Sequence, residues 1–167
     1  VANNSYNDYM DNNKDKTDNN VENIEIFVDV YSFKEIYEKA EFNFNVTTAG
    51  FYSFAFDYAC SKKVENNPSF TFLIDGEVPF LGATQIEVNR YWNVDEITLD
   101  SNGNSIRGEM TVNEDWHTYS LKDASGIVVE PYQFYLDVGE HTIAFVLNDG
   151  IFSLKNIRAY GIKKLIS

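Results

Sequence analysis

The chain has 167 residues, of which 44% are hydrophobic and 16% aromatic, so it can bury one substantial core but scarcely two. Its formal net charge is −13, from 26 acidic and 13 basic residues, and no cluster of Lys or Arg offsets this charge locally. Such a charge repels phosphate backbones and anionic membrane surfaces, which excludes nucleic acid as an expected partner. No apolar run approaches the length of a transmembrane span, so direct membrane insertion is not expected.

The first twenty residues, VANNSYNDYMDNNKDKTDNN, are dominated by Asn, Asp and Lys, and few of them are suited to burial. We interpret residues 1–20 as a linker or flexible leader. The alternative is a short helical turn in which Tyr6, Tyr9 and Met10 pack on the domain. Residues 21–167 are then expected to form a single folded module, excised from a longer chain because no signal-peptide pattern precedes it.

From Val21 onward the apolar residues recur with a period of two, which is typical of strands. Residues 32–40, SFKEIYEKA, are the one stretch with helical spacing. EFNFNV (41–46) and FYSFAFDYAC (51–60) alternate again and predict a hairpin. Its second strand has one apolar face, made of Tyr52, Phe54, Phe56, Tyr58 and Cys60.

About ten short strands separated by turns, with almost no helix, predict an all-β sandwich, and more specifically a jelly roll. One of these turns contains Asp75-Gly76, a dipeptide that favours tight hairpins. Cys60 is the single cysteine and lies in an apolar run, so we expect a buried, inert thiol and no disulfide within the chain.

Residues 92–116 begin and end on the only two tryptophans of the chain and contain few residues that suit a core. ITL and EMTV are expected to pair across DSNGNSIRG, with Asn102-Gly103 supplying the turn. The segment is therefore predicted to be a long mid-chain excursion from the sandwich. Binding residues of β-sandwiches tend to lie on such loops or on one concave sheet face.

Five motifs occur in an order and spacing that resemble one known group of proteins. They are IDGEVPF (74–80), NRYW (89–92), DSNGNSIR (100–107), LKDASG (121–126) and EPYQFYLDVGEHTIAF (130–145). The chain resembles the β-sandwich module at the N-terminal side of bacterial extracellular solute-binding proteins of carbohydrate ABC transporters. This module is itself similar to family 6 and family 35 carbohydrate-binding modules, and the resemblance covers roughly residues 41–160.

The resemblance implies a non-catalytic module that binds an oligo- or polysaccharide outside the cell, secreted or tethered to the cell surface. It also implies further domains in the same polypeptide, of a transporter-associated or glycan-degrading protein. The competing interpretation is a structural or protein-interaction sandwich that docks on a neighbouring domain and binds no sugar. The sequence predicts no catalytic residues, because adjacent carboxylates such as Glu114 and Asp115 point to opposite sides of a strand.

Saccharides stack their C–H faces on flat aromatic rings, while planar polar side chains pair with their hydroxyls. Trp92 and Trp116 are the first candidates for such platforms, followed by Tyr91 and Tyr132. The alternative for each tryptophan is a place in the core of the sandwich.

Polar candidates for the same site are Arg90, Arg107, Asn104 and Glu130. The two arginines are scarce cations in an acidic chain, and they are suited to orient hydroxyls or carboxylates of a ligand. Their alternative role is an internal ion pair with Asp95, Asp100 or Glu130.

No cofactor is predicted, although the resemblance raises a structural calcium held by the first and last strands. Calcium requires six to eight oxygen ligands. The first strand offers Glu22, Glu25 and Asp29, but the last strand has Lys155 and Arg158 where such modules often place an Asp. The DSNGNS stretch lacks the order of an EF-hand loop, so we interpret it as a turn and predict no metal ligands.

Overall fold

The computed structural model describes residues 3–17, 19–94, 98–106, 108, 110–126 and 130–162. Within these ranges the chain forms an α-helix, α1 (Tyr6–Asn12), and a short 3-10 helix (Leu81–Thr84). The strands there are β1 (Ile24–Phe27), β2 (Tyr31–Ser32), β3 (Lys39–Val46), β4 (Gly50–Cys60), β5 (Ser69–Ile74), β6 (Ile86–Glu87), β7 (Trp92–Val94), β8 (Thr98–Leu99), β9 (Ser105–Ile106), β10 (Met110–Val112), β11 (His117–Ser120), β12 (Phe134–Leu136), β13 (Gly139–Asp149) and β14 (Phe152–Tyr160). None of the described helices has both the length and the apolar character required to cross a bilayer.

Two antiparallel sheets face each other. The first sheet runs β1, β14, β4 and β11, with β2 beside β14 and β12 beside β4; the second runs β3, β13, β5 and β6. Their inner faces meet through aromatic rings: the Phe54 ring centroid lies 5.2 Å from that of Phe72, and Phe56 lies 5.7 Å from Phe145. Tilted and edge-to-face ring pairs of this kind add to the free energy gained by burial. The predicted all-β sandwich is confirmed.

Strand β4 supplies the aromatic face that its alternation predicts. Its members Tyr52, Phe54, Phe56, Tyr58 and Cys60 are each no more than 4% exposed. Burial raises the pKa of the Cys60 thiol to about 11, so the thiol stays protonated at neutral pH. The predicted burial of this cysteine is confirmed.

The predicted hairpin of residues 41–46 with 51–60 is wrong, because these strands belong to different sheets. β3 pairs with β13, whereas β4 pairs with β14, β11 and β12. Phe44 of β3 and Phe54 of β4 instead face each other across the sandwich, with ring centroids 6.1 Å apart. In a hairpin both apolar faces would lie on the same side of one sheet and would still need a cover.

The leader adopts the helical alternative, since α1 packs against the sandwich. Ser5 caps the helix by accepting a hydrogen bond from the Asp8 backbone N–H, and the Asp8 carboxylate accepts the Ser5 N–H in return. The rings of Tyr6 and Tyr9 lie 5.0 Å and 5.3 Å from that of Phe80. Two aromatic side chains spaced by three residues are enough to anchor this short polar helix.

The helix expected at residues 32–40 is absent from the structure, which shows turns after β2. Phe33 is buried against Phe152, with ring centroids 5.1 Å apart. The Glu38 carboxylate accepts hydrogen bonds from the Tyr31 hydroxyl and from the backbone N–H of Lys34. These contacts stabilise an irregular loop in place of a helix. The strand alternation also ends earlier than expected, because β1 stops at Phe27 and leaves two apolar residues more than half exposed, Val28 and Val30.

The mid-chain excursion consists of two small two-stranded sheets outside the sandwich. β7 pairs with β10, and β8 pairs with β9. The predicted partners therefore change: Thr98–Leu99 pairs with Ser105–Ile106, and Met110–Val112 pairs with Trp92–Val94. The turn between β8 and β9 lies at the predicted place, with Gly103 at a φ of 79°.

Candidate functional site

A polar cleft of about 380 Å³ lies at one end of the sandwich, where the loop after β4 meets the ends of β6 and β13. We call it the Arg90 cleft. The residues that line it are Asn66, Asn67, Ser69, Gln85, Glu87, Arg90 and Asp149. Amide, carboxylate and guanidinium groups of this kind are planar and can each pair with two adjacent hydroxyls.

Arg90 is held in place by neutral oxygens of the neighbouring loop. Its Nη1 donates to the carbonyl oxygen of Val64 at 2.8 Å, and its Nε donates to Oδ1 of Asn67 at 3.3 Å. Asn67 also accepts the Arg90 backbone N–H at 3.0 Å and donates to Oε1 of Glu87 at 2.9 Å. Among the described residues, no further acceptor takes the remaining guanidinium N–H groups.

Trp92 lies against the Arg90 guanidinium, whose central carbon is 5.1 Å from the centroid of the indole ring. The indole is 48% exposed. A cation over one part of the ring fixes its orientation and leaves the rest of its surface open to solvent. A core position for Trp92 and a pair of Arg90 with Asp100 or Glu130, two of the sequence alternatives, do not occur among the described residues. Asp95, the third alternative partner of the arginine, lies outside the described residues.

Tyr91 is exposed to the same degree as Trp92 but presents a different surface. Its ring packs on the imidazole of His117, with centroids 4.3 Å apart. Asn113 joins the two, because its backbone N–H donates to the Tyr91 carbonyl at 2.7 Å and its Oδ1 lies 3.2 Å from Nε2 of His117. Neighbouring residues along an extended chain point to opposite sides, which separates Tyr91 from the Trp92 platform.

Trp116 is also solvent-facing, at 38% exposure, but its partner is Lys155. The Lys155 ammonium lies 4.3 Å from the centroid of the Trp116 ring. Neither tryptophan is among the residues that line the Arg90 cleft, but Trp92 contacts Arg90, which does line it. The two candidate platforms therefore have different surroundings, and Trp92 is the one next to the cleft.

Tyr132 is a core residue and not a platform, which corrects the sequence prediction. It is 2% exposed, and its ring lies 4.6 Å from Tyr6 and 4.7 Å from Phe80. Burial raises the pKa of its hydroxyl to about 12. One side of this ring is covered by Tyr6 of α1, the helix that the sequence offers only as an alternative to a flexible leader.

The other polar candidates lie away from the Arg90 cleft or outside the described residues. Asn104 is exposed at the β8–β9 turn, where its backbone N–H donates to Oδ1 of Asp100 at 2.8 Å. Glu130 is exposed and contributes to the electrostatic environment of Tyr6. Arg107 lies outside the described residues.

Arg158 lies where the first and last strands pair, which is where the resemblance suggests a structural calcium. Arg158 lies opposite Glu25 in the β1–β14 register, and its Nη1 is 3.6 Å from Oδ1 of Asp57. Asp57 also accepts hydrogen bonds from Asn156 and Thr118. Burial raises the pKa of Asp57, but these hydrogen bonds and Arg158 outweigh it, so the pKa is lowered overall.

Within the described ranges, no group of three or more His, Cys, Asp or Glu side chains is placed to hold a metal ion.

Sequence reasoning found Arg90 and missed the other residues that line the cleft, which are Asn66, Asn67, Ser69, Gln85, Glu87 and Asp149. The polar loop SKKVENNP indicates a surface loop but nothing about its neighbours. Asn66 and Asp149 are 83 positions apart, yet Nδ2 of Asn66 donates to Oδ2 of Asp149 at 3.2 Å. Only the pairing of β13 with β5 brings these two segments together.

No protein-family model and no curated protein matches this chain. Among solved structures, it is similar to a family 35 carbohydrate binding module from an environmental isolate, with 11% sequence identity and a TM-score of 0.44. The match covers 84% of this chain and 88% of that chain. Similarity this distant does not identify a ligand, so the function rests on the residues of the cleft.

Proposed function

We propose that the chain is a non-catalytic carbohydrate-binding module that recognises a neutral oligo- or polysaccharide in the Arg90 cleft. The observation that carries this proposal is the half-exposed Trp92 indole, stacked on the guanidinium of Arg90, which itself lines the cleft. A flat apolar ring beside planar hydrogen-bonding groups matches the two kinds of surface that a pyranose presents.

The charges of the cleft favour a neutral sugar. Arg90 is its one cationic lining residue, and Glu87 and Asp149 supply two carboxylates. Carboxylates accept hydrogen bonds from sugar hydroxyls, but they repel the carboxylate of a uronic acid.

The setting that we propose is extracellular, with the module secreted or tethered to the cell surface as part of a larger polypeptide. This rests on the motifs that resemble modules of bacterial carbohydrate transporters. In such a chain the module would raise the local concentration of glycan near a transporter or an enzyme.

Affinity electrophoresis through gels containing neutral polysaccharides (xylan, mannan and mixed-linkage glucan) tests the proposal. We expect at least one of these gels to retard the protein. Trp92→Ala should weaken that binding by about 30-fold, corresponding to roughly 2 kcal/mol for the loss of an aromatic anchor.

Trp116→Ala is the matched control, because it removes the other partly exposed indole, whose cation partner is Lys155 and not the cleft residue Arg90. It should be retarded like the unmodified protein. Migration that none of the polysaccharides slows, or equal retardation of Trp92→Ala, would refute the proposal. The protein should also be assayed for reducing ends released from these polysaccharides, because the cleft contains two carboxylates. Any release would contradict a non-catalytic role.

A docking role on another protein is the second candidate, favoured by the apolar surface of the excursion. The side chains of Val94 and Leu99 are 63% and 69% exposed, and those of Ile106 and Met110 are 48% and 49% exposed. Val94 and Met110 are cross-strand partners, so they lie on the same face of the β7–β10 pair. An exposed apolar face of this kind is typical of interaction sites. This candidate predicts that no saccharide retards the protein.

A further inference from the structure

A second cleft, of about 390 Å³, adjoins the Arg90 cleft. Asn66 and Asp149 line both clefts and are hydrogen-bonded to each other, so this pair forms the wall between them. We call the second space the Ile151 cleft. Besides this pair, its lining includes Ile36, Ser61, Lys63, Val64, Gly150 and Ile151.

The Ile151 cleft has a different chemical character from its neighbour. Ile36 and Ile151 are 39% and 40% exposed, and Val64 contributes a further apolar side chain between them and the core. Exposed branched side chains rimmed by Ser61 and Lys63 offer an apolar surface with polar edges. The C–H face of a pyranose can be buried on such a surface, although aliphatic side chains lack the negatively charged ring face that an aromatic platform offers.

The two clefts share a rigid wall. The carbonyl oxygen of Val64, in the Ile151 cleft, accepts the hydrogen bond from Arg90 that fixes the guanidinium in the other cleft. Gly150 has a φ of 72°, and a Cβ at this position would lie 2.8 Å from Cα of Pro68. The loop of residues 61–68 is therefore held by the Arg90 hydrogen bond on one side and by close packing with the β13–β14 turn on the other. These contacts give both clefts their shape before a ligand binds.

Tyr37 adds an exposed ring next to Ile36 in the chain. It is 77% exposed and has a φ of 68°, which is uncommon for a residue with a side chain and costs free energy. Its backbone N–H donates to the carbonyl oxygen of Leu147 at 2.7 Å, which holds this conformation in place. Backbone strain of this kind clusters at active sites and ligand clamps, and Tyr37 lies beside the Ile151 cleft in sequence without lining it.

We propose that the Ile151 cleft is a second sugar subsite. The module then binds at least two sugar units of one neutral saccharide chain, one on each side of the Asn66–Asp149 pair. This inference rests on the proposed function, because the first unit occupies the Arg90 cleft. The continuity of the two clefts through a shared hydrogen-bonded pair is the observation that carries it.

Isothermal titration of the full chain with xylo-, manno- and cello-oligosaccharides of increasing length tests the second subsite. The affinity should rise by at least about tenfold between the monosaccharide and the tetrasaccharide of the series that binds. Ile151→Ser should reduce this gain and leave the monosaccharide affinity unchanged. Trp92→Ala should weaken binding at every length.

Val138→Ser is the matched control for Ile151→Ser, because both side chains are exposed and they lie in the turns at opposite ends of β13. It should keep the full gain with length. Affinity independent of length, or a full gain in Ile151→Ser, would overturn the second subsite and leave the proposed function standing. Absence of binding at any length would overturn both.

Discussion

Both ring nitrogens of His141 face hydrogen-bond acceptors. Nδ1 lies 2.7 Å from Oδ2 of Asp75, and Nε2 lies 2.7 Å from the backbone carbonyl oxygen of Asp137. A neutral imidazole has one N–H and satisfies one of them, whereas the imidazolium satisfies both. Burial lowers the pKa of His141, but the Asp137 carbonyl and the Asp75 carboxylate outweigh it, so the pKa is raised.

A histidine whose pKa is higher in the folded than in the unfolded state stabilises the fold below the unfolded pKa of about 6.5. This stability is lost as the pH rises through the folded pKa. We therefore expect His141→Gln to lower the free energy of unfolding more at about pH 5.5 than at about pH 8.5. Urea unfolding of both proteins at each pH measures the difference and cancels the titration of other groups. An equal loss at the two pH values would contradict this assignment.

Residue type alone does not show which candidate residues lie at the cleft. Arg90 and Trp92 were candidates because cations and indoles are scarce in this chain, and the structure brings them together. Tyr132 was a candidate for its flat ring and is buried, because exposure depends on which segment covers a ring. The surrounding amides are ordinary surface residues in sequence, since nothing local marks an asparagine that will orient an arginine.

The helix α1 protects an edge of the first sheet. The hydroxyl oxygens of Tyr6 and Tyr9 accept hydrogen bonds from the backbone N–H groups of Gln133 and Tyr135, both at 2.9 Å. Alternate N–H groups of a strand point to the same edge, so the two phenols satisfy successive donors on the side of β12 that faces away from β4. An edge covered in this way is not available for pairing with another chain.

Tyr6→Phe and Tyr9→Phe should each lower the free energy of unfolding by about 1 kcal/mol, because each leaves a backbone donor without its acceptor while keeping the ring contacts. Chemical denaturation measures the loss, and faster hydrogen exchange at the Gln133 and Tyr135 amides would assign it to this edge. Asn7→Ala, on the exposed side of α1, is the control and should change stability little. Variants as stable as the unmodified protein would show that α1 does not hold this edge.

Charge acts on the molecule as a whole. The net charge of −13 surrounds a cleft that itself contains two carboxylates and one arginine. An acidic polysaccharide therefore meets repulsion that a neutral one does not, and salt screens this repulsion over a distance of about 10 Å at 0.1 M.

We expect polygalacturonate gels to retard the protein less than the neutral gel that binds it best, with a gap that narrows as sodium chloride is added. Affinity electrophoresis at low and high ionic strength checks this. Retardation by polygalacturonate that is strongest at low salt would show that attraction, and not repulsion, governs the encounter.

The amino-acid sequence alone determined the class of fold and much of the core. Alternation along β4, β13 and β14 identifies residues that are buried, because the side-chain period of a strand does not depend on its neighbours. The mid-chain excursion was predictable for the same reason: its residues lack the apolar periodicity that a sandwich strand needs, and it does lie outside the two main sheets.

Tertiary structure decided which strands pair, what covers them and which polar side chains meet. β3 and β4 are adjacent in sequence but join different sheets, because their apolar faces are best buried against each other. The leader packs because Phe80 and Tyr132 offer an aromatic surface that only the assembled sandwich creates. Both clefts form where loops distant in sequence converge at one end of the sheets, and periodicity within a segment carries no information about such convergence.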